Sequence, residues 1–446
     1  MRRLAPLSLV LLLTAAACAG SDGDSTATVD TATPTASTDD VATTGSADSG
    51  PTDTETETTE TETTDTETTQ TPEETTTTPA PSTTEAPVDT EPGSELAPFT
   101  PVGDGPYAVG VQTITVTDVE RDRPLTVDVT FPLAEGTTGE PQRYTFITGD
   151  YYESPRAIAA TAEQISPDGP FPLVVYTHGS GGLRYIDSDY TETLASHGYL
   201  VVAADHSGNT AVDQFVGTSD DPATIAYNRP RDVQFLIDQM FNPESLETVG
   251  FVGSVNPEQI AVTGHSLGGY ATYAVVSGMS NEAGSIEGDD RIDAIIPIAP
   301  ALGDGGPTSL LSDEQLARVE VPTLILVGTN DQTTPVDPNV ERAFSLASSD
   351  TIYRDELVDA AHQSFTDVCD YQEFFPQLEN PTQAVLDVID EFAVEGCSEG
   401  DMPIERVKEL QNTLAVSFLD SIFRDGTMIT ADDTQIPDDL LSTTKS

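Results

Sequence analysis

Basic residues are scarce in this 446-residue chain: 17 Lys and Arg stand against 76 Asp and Glu, for a formal net charge of −59. No Lys or Arg occurs between Arg3 and Arg121. Such a charge balance argues against nucleic acid and anionic membrane surfaces as partners. The first 100 residues hold 19 of the acids and 2 of the bases, so the remainder carries 57 acids against 15 bases and is itself strongly acidic. That fits a solvated surface suited to a salty or cell-wall setting better than a metal-binding one. No EF-hand loop is present, and Glu287 to Asp293 lacks the ligand spacing of one. No propeller-blade repeat is found.

Large apolar side chains are almost missing from residues 21 to 100, which are Thr, Asp, Glu, Ser and Pro, with Thr alternating with acid from Asp53 to Glu74. Such a segment cannot bury enough apolar surface to offset the entropy of ordering, so a disordered, self-repelling tether is expected over residues 19–102. The only long apolar run, Leu4 to Ala17, follows Met1-Arg2-Arg3 and is short for a membrane span. A charged start and a short apolar stretch read as a signal peptide over residues 1–18, hence export. It ends in Ala15-Ala16-Ala17-Cys18-Ala19-Gly20, which resembles a bacterial lipobox, with Cys18 the lipidated first residue of a cell-surface lipoprotein. Ala15 replaces the commoner leucine, and plain cleavage with secretion is the alternative.

Cysteine is rare too. With Cys18 lipidated, Cys369 and Cys397 remain as a pair in an exported protein, which is a disulfide pattern. Two reduced, separately buried thiols are the alternative.

What is present is concentrated in Gln259-Ile260-Ala261-Val262-Thr263-Gly264-His265-Ser266-Leu267-Gly268-Gly269. A short apolar strand runs into G-x-S-x-G and then a helix bearing Tyr270, the form of a nucleophile elbow. A serine-capped helix start is the alternative, and the strand before it counts against that. Only five histidines exist, and His362 alone follows Ser266. The order serine, acid, histidine therefore selects His362, just past an expected strand from Thr351 to Val358. The acid should end an earlier strand. Val321 to Gly328 is an apolar run of the buried parallel type and leads into Thr329-Asn330-Asp331. Asp331 is the expected acid and Asp304 its main rival; Asp337, Asp355 and Asp359 are expected to be solvated. Phe171 to Thr177 reads as a strand followed by His178-Gly179-Ser180-Gly181-Gly182. The amides of Ser180 and Leu267 are thus the expected oxyanion donors, an ordinary Gly-rich turn being the alternative.

Strands are expected near 110–118, 124–132, 172–177, 199–204, 259–263, 293–299, 322–327 and 351–358. Helices are expected near 187–197, 229–240, 267–278, 312–319, 338–348 and 404–424. The alternation predicts an α/β fold, a mostly parallel central sheet with helices on both faces. The segment 133–170 shows no regular pattern. Its Tyr144, Phe146, Tyr151 and Tyr152 either shape an acyl pocket or pack on the sheet edge.

These motifs carry a resemblance. Asp118 to Pro132, Pro172 to Gly182, Leu194 to Tyr199, Asp205-His206-Ser207-Gly208, Gly264 to Tyr270, Gly328 to Asp331 and Ala361 to Cys369 together resemble an α/β-hydrolase. The branch is that of platelet-activating-factor acetylhydrolases and dienelactone-hydrolase-like lipoproteins, with cutinase-like polyesterases more distant. The resemblance spans roughly residues 105 to 425. It implies Ser266 as nucleophile, Asp331 as acid and His362 as base, acting on a small-molecule or lipid ester without cofactor or metal. Dienelactone hydrolases proper use a cysteine nucleophile, so the serine here argues for ordinary ester chemistry. A C–C or peptide-bond hydrolase on the same fold, or a non-catalytic surface lipoprotein, are the alternatives. A catalytic domain over 103–426 and a flexible tail over 427–446 complete the expected organisation, with membrane contact through the lipid anchor only.

Overall fold

The computed structural model describes residues 96–445. The expected signal peptide, Cys18 and nearly all of the expected tether lie outside the described residues. Eleven strands form one sheet. In chain order they are β1 (Val109–Asp118), β2 (Arg123–Pro132), β3 (Pro141–Thr145), β4 (Tyr151–Ala159), β5 (Phe171–Thr177), β6 (Leu200–Asp205), β7 (Val255–His265), β8 (Ala294–Ile298), β9 (Thr323–Gly328), β10 (Ile352–Leu357) and β11 (Leu440–Lys445). Their order across the sheet is β11-β10-β9-β8-β7-β5-β6-β2-β1-β4-β3. From β10 to β6 every pairing is parallel; β2 and β11 run antiparallel to that block at its two sides. All eight expected strands are present.

The helices are α1 (Ser188–Ser196), α2 (Ala211–Val216), α3 (Pro222–Met240), α4 (Leu267–Ser277), α5 (Asp313–Leu316), α6 (Val336–Leu346), α7 (Val368–Phe374), α8 (Gln383–Ala393) and α9 (Ile404–Phe423). The two-residue side-chain period of a strand sorts them onto two faces. Leu173, Val175, Val262 and Ile325 point to one side and pack with Val233 and Ile237 of α3, Tyr273 and Ala274 of α4, and Val340 of α6. Val174, Tyr176, Ala261 and Leu326 point to the other and pack with Leu194 of α1 and Leu414, Phe418 and Leu419 of α9. The fold is a mostly parallel α/β sheet covered on both faces, as the apolar runs of the parallel strands predict.

Helix α3 starts seven residues before the expected 229. Asp221 caps it, its carboxylate accepting from the amides of Ala223 and Thr224, and Pro222 occupies the first turn. Pro230 then lies inside the helix. It has no N–H to give the carbonyl of Ala226, four residues earlier; the Tyr270 hydroxyl of α4 donates to that carbonyl instead, at 3.0 Å.

Three further expectations are corrected. Residues 427–446 are not a loose tail: Leu440–Lys445 form β11, paired along its whole length with β10. The folded unit also extends below 103, since Ala97–Pro98 pair with Thr434–Gln435. The Val102 amide donates to Thr413 of α9 at 3.0 Å. Asp355, expected in solvent, is fully buried because β11 covers its strand. The unpatterned 133–170 segment supplies the outer hairpin β3–β4. Its Tyr144 stacks on Tyr185, and Phe146 packs edge-on against Tyr371 and Phe375 of the segment around α7. Phe146 also lines the pocket described next.

Candidate active site

Four parallel strands deliver the site from their carboxyl ends. β7 ends at His265 and turns at Ser266, whose φ of 57° and ψ of −116° lie where an L-residue is strained. The turn must be this sharp because its neighbours touch the end of β5. A Cβ on Gly264 would stand 2.5 Å from the Thr177 carbonyl oxygen, and one on Gly268 would stand 1.8 Å from it. The glycines of G-x-S-x-G are thus demanded by close backbone approach. The Ser266 amide donates to Ile298 O at 2.9 Å, and its carbonyl accepts from Ala301 and Tyr270, which fixes the elbow against β8 and α4.

Ser266 Oγ lies 2.9 Å from His362 Nε2, and His362 Nδ1 lies 2.8 Å from Asp331 Oδ2. The structure therefore brings Ser266, His362 and Asp331 into one hydrogen-bonded chain, with His362 and Asp331 buried. Burial would raise the Asp331 pKa, but the bonds from His362 and Thr334 outweigh it and hold the carboxyl below its ordinary value. Asp304, the rival acid, sits in an exposed loop and caps the Gly306 amide at 2.9 Å.

Ser180 and Leu267 flank Ser266. A Cβ on Gly179 would meet the Ser266 Cβ at 3.2 Å, so the loop after β5 lies directly against the elbow. Leu267 opens α4, where an amide has no partner within its own helix. Around these groups is an apolar pocket walled by Phe146, Leu183, Ile186, Val368, Tyr371, Ile389 and Phe392.

Much of that wall comes from α7 and α8, which the sequence did not reveal. Their helical period is written in Val385, Leu386, Ile389 and Phe392, an i, i+1, i+4, i+7 apolar stripe. They pack in a small cluster of their own with Phe146 and Tyr152. Cys369 and Cys397 are joined by a disulfide across this excursion.

Three supporting residues were also missed. Thr334 donates its amide to Asp331 Oδ1 at 2.6 Å, and its hydroxyl lies 2.7 Å from Asp331 Oδ2 and 3.1 Å from His362 Nδ1. Glu395 accepts from the amides of Gln332 and Thr333, while its own carbonyl accepts from the Gln363 amide at 2.7 Å. It thereby joins the acid loop and the histidine turn to the disulfide-bearing excursion. The His265 ring lies tilted against that of His362, with centroids 4.6 Å apart, and bonds the His362 carbonyl at 2.8 Å. Burial, together with the neighbouring His362, pushes the His265 pKa down to about 3, so it is neutral and donates from Nε2. Its place inside G-x-S-x-G was the one signal available for any of the three.

The sheet order and the strand–Ser266–helix turn are those of an α/β-hydrolase fold. Residues 133–229 match the family model of platelet-activating factor acetylhydrolase, isoform II. That segment contains Ser180 and ends before Ser266. Among solved structures, the chain is similar to a ferulic acid esterase from Streptomyces cinnamoneus. Sequence identity is 20%, the TM-score 0.55, and the match covers 77% of this chain and 98% of that one. No curated protein sequence matches significantly. The chain thus has the α/β-hydrolase fold, and its residues 133–229 are similar to platelet-activating factor acetylhydrolase, isoform II.

Proposed function

We propose that this chain is an exported carboxylic ester hydrolase that works through a serine acyl-enzyme. The observation that carries the reading is the unbroken run Ser266–His362–Asp331, with 2.9 and 2.8 Å links, at the floor of an apolar pocket. His362 Nε2 takes the proton from Ser266 Oγ as the oxygen attacks the ester carbonyl. Asp331 holds the proton on Nδ1 and stabilises the imidazolium. The amides of Ser180 and Leu267 bind the oxyanion. The alcohol leaves with the proton from His362, and a water activated by the same imidazole releases the acid.

The names of the matched family and the similar structure, an acetylhydrolase and a ferulic acid esterase, support ester chemistry. The acyl and alcohol parts of the natural substrate are to be found with a panel of acetyl, longer acyl and feruloyl esters. The deciding experiment pairs p-nitrophenyl acetate turnover with fluorophosphonate labelling. Wild-type protein takes the label on Ser266, and Ser266→Ala takes none and loses at least about 10³-fold in kcat. Labelling at a different serine overturns the reading.

The proposal includes a lipid anchor at Cys18 and a tether of about 80 residues leading to the folded unit. Full-length protein should then enter the detergent phase on partitioning, and Cys18→Ser should stay in the aqueous phase.

A further inference from the structure

Behind the loop that carries Ser180 lies a buried arginine. Arg229 of α3 is 1% exposed, among the largest fully buried side chains of the protein. A guanidinium placed so deep is costly unless every donor is met. Here the donors are met, but by backbone and neutral groups. Nη1 donates to the His178 carbonyl at 2.6 Å and to Thr177 Oγ1 at 3.1 Å. Nη2 donates to the Gly179 carbonyl at 3.0 Å, and Nη2 and Nε both donate to Asn209 Oδ1, at 2.6 and 3.2 Å. The carboxylate one turn further along α3, Asp232, bonds Arg121, Arg123 and His206 instead.

The two carbonyls that Arg229 holds belong to the peptides just before Ser180. A trans peptide sets its C=O and the following N–H in opposite directions. The Gly179 carbonyl points inward to Arg229, so the Ser180 N–H on the same peptide plane must point outward. Outward is where Ser266 lies, since Gly179 packs on the Ser266 Cβ. A second donor holds the same carbonyl, His178 Nδ1 at 2.7 Å. His178 Nε2 accepts from the His206 amide, so Nδ1 carries the proton. Burial and the Arg229 charge keep the His178 pKa well below its ordinary value, and that imidazole stays neutral.

We propose that Arg229 is a positioning residue of the oxyanion hole: it turns the Ser180 amide toward Ser266 by holding the His178 and Gly179 carbonyls, and it places a fixed positive charge behind the oxygen that becomes negative. The inference rests on the reading of Ser266 as nucleophile. A charge aimed from a buried site at a developing oxyanion acts without reorganisation and is only weakly screened. Burial draws the Arg229 pKa down to about 9, which leaves the group protonated at neutral pH. Asp232 acts on Arg229 from one turn away, but it bonds His206 and the guanidinium groups of Arg121 and Arg123, whose charges offset it, and so it does not cancel the field of Arg229.

The test compares wild-type protein with Arg229→Met, Arg229→Lys, Asn209→Ala and Ser266→Ala. It measures kcat and KM on p-nitrophenyl acetate, the rate of fluorophosphonate labelling, and Tm. Arg229→Met should lower kcat about 10²-fold, the scale of losing one oxyanion donor, with KM within about twofold. Labelling should slow in parallel, because the phosphonyl oxygen occupies the same hole. Arg229→Lys keeps the charge and can reach one of the two carbonyls, so it should recover about tenfold over Arg229→Met. Asn209→Ala frees the other edge of the guanidinium and should lower kcat about tenfold. Folded Arg229→Met with kcat within about threefold of wild type overturns the proposal, as does a change confined to KM. If Arg229→Met does not fold, unchanged kcat in both Arg229→Lys and Asn209→Ala overturns it. Full turnover by Ser266→Ala would instead overturn the parent reading, whatever Arg229 does.

Discussion

Thr334 meets Asp331 twice: its amide reaches Oδ1 at 2.6 Å and its hydroxyl reaches Oδ2 at 2.7 Å. The carboxylate is thus clamped in the plane in which Oδ2 also receives His362 Nδ1. Thr334 supplies part of what overcomes desolvation and keeps Asp331 ionised. Asp331→Asn should lower kcat on p-nitrophenyl acetate by about 10⁴-fold, because the amide favours the wrong histidine tautomer. Thr334→Val, which keeps the backbone bond, should lower it about three- to tenfold. Asp304→Asn should leave kcat at the wild-type value. Steady-state kinetics of the three proteins decides, and loss of activity in Asp304→Asn would move the acid to the loop after β8.

Asp355 gives a pH prediction. It is fully buried on β10, and burial pushes its pKa up to about 7 against the opposing effect of the facing Ser442. In the unfolded chain the same group ionises near pH 4. The folded state therefore binds the extra proton between about pH 4 and 7. Stability falls as pH rises through that window and levels off above it. Asp355→Val should remove this slope. It should raise stability at pH 8 by about 2–4 kcal/mol and give little gain at pH 4. Urea unfolding at the two pH values measures it; equal gain at both would mean that ionisation of Asp355 is not the cause.

The Cys369–Cys397 disulfide closes a segment of 28 residues that carries α7, α8 and Glu395. In the chain-entropy picture such a loop contributes about 3–4 kcal/mol. Cys369→Ser/Cys397→Ser should lower Tm. It should also cut ester turnover severalfold, because Glu395 holds the Gln332–Thr333 amides and the start of the His362 turn. Dithiothreitol should reproduce both effects in the wild type and neither in the double mutant.

Truncation tests the C-terminal strand. A chain ending at Gly426 loses β11 and exposes the edge of β10 together with Leu357, whose neighbour Leu440 is buried. Marked loss of Tm and aggregation through the opened edge are expected. A chain running from residue 96 to 445 should keep the full Tm. Scanning calorimetry of the two separates a structural strand from a dispensable tail.

Ser266 and Asp331 were legible along the chain because each follows a central parallel strand whose apolar run betrays itself locally, whereas His362 follows β10, which carries Arg354, Asp355 and Glu356, and was legible as the one histidine after Ser266. The same runs fixed the fold class, and the close-packed glycines marked the elbow. Other features had no local signal. Leu440–Lys445 is a strand only because β10 offers it an unpaired edge; half polar and exposed on one side, it lacks the pattern of a buried strand. Helix α3 runs through Pro230 only because Tyr270, forty residues on, satisfies the carbonyl that the proline leaves free. Thr334, Glu395 and Arg229 are ordinary polar residues until folding sets them against His362, the Gln332–Thr333 amides and the Gly179 carbonyl. Local periodicity and backbone sterics are properties of neighbours in sequence, so the sequence alone determined the elements and the order of the site residues. Edge pairing, the pocket wall and the groups that hold the site in place are contacts between residues far apart along the chain, as Phe146 is from Phe375, and only the tertiary structure decided them.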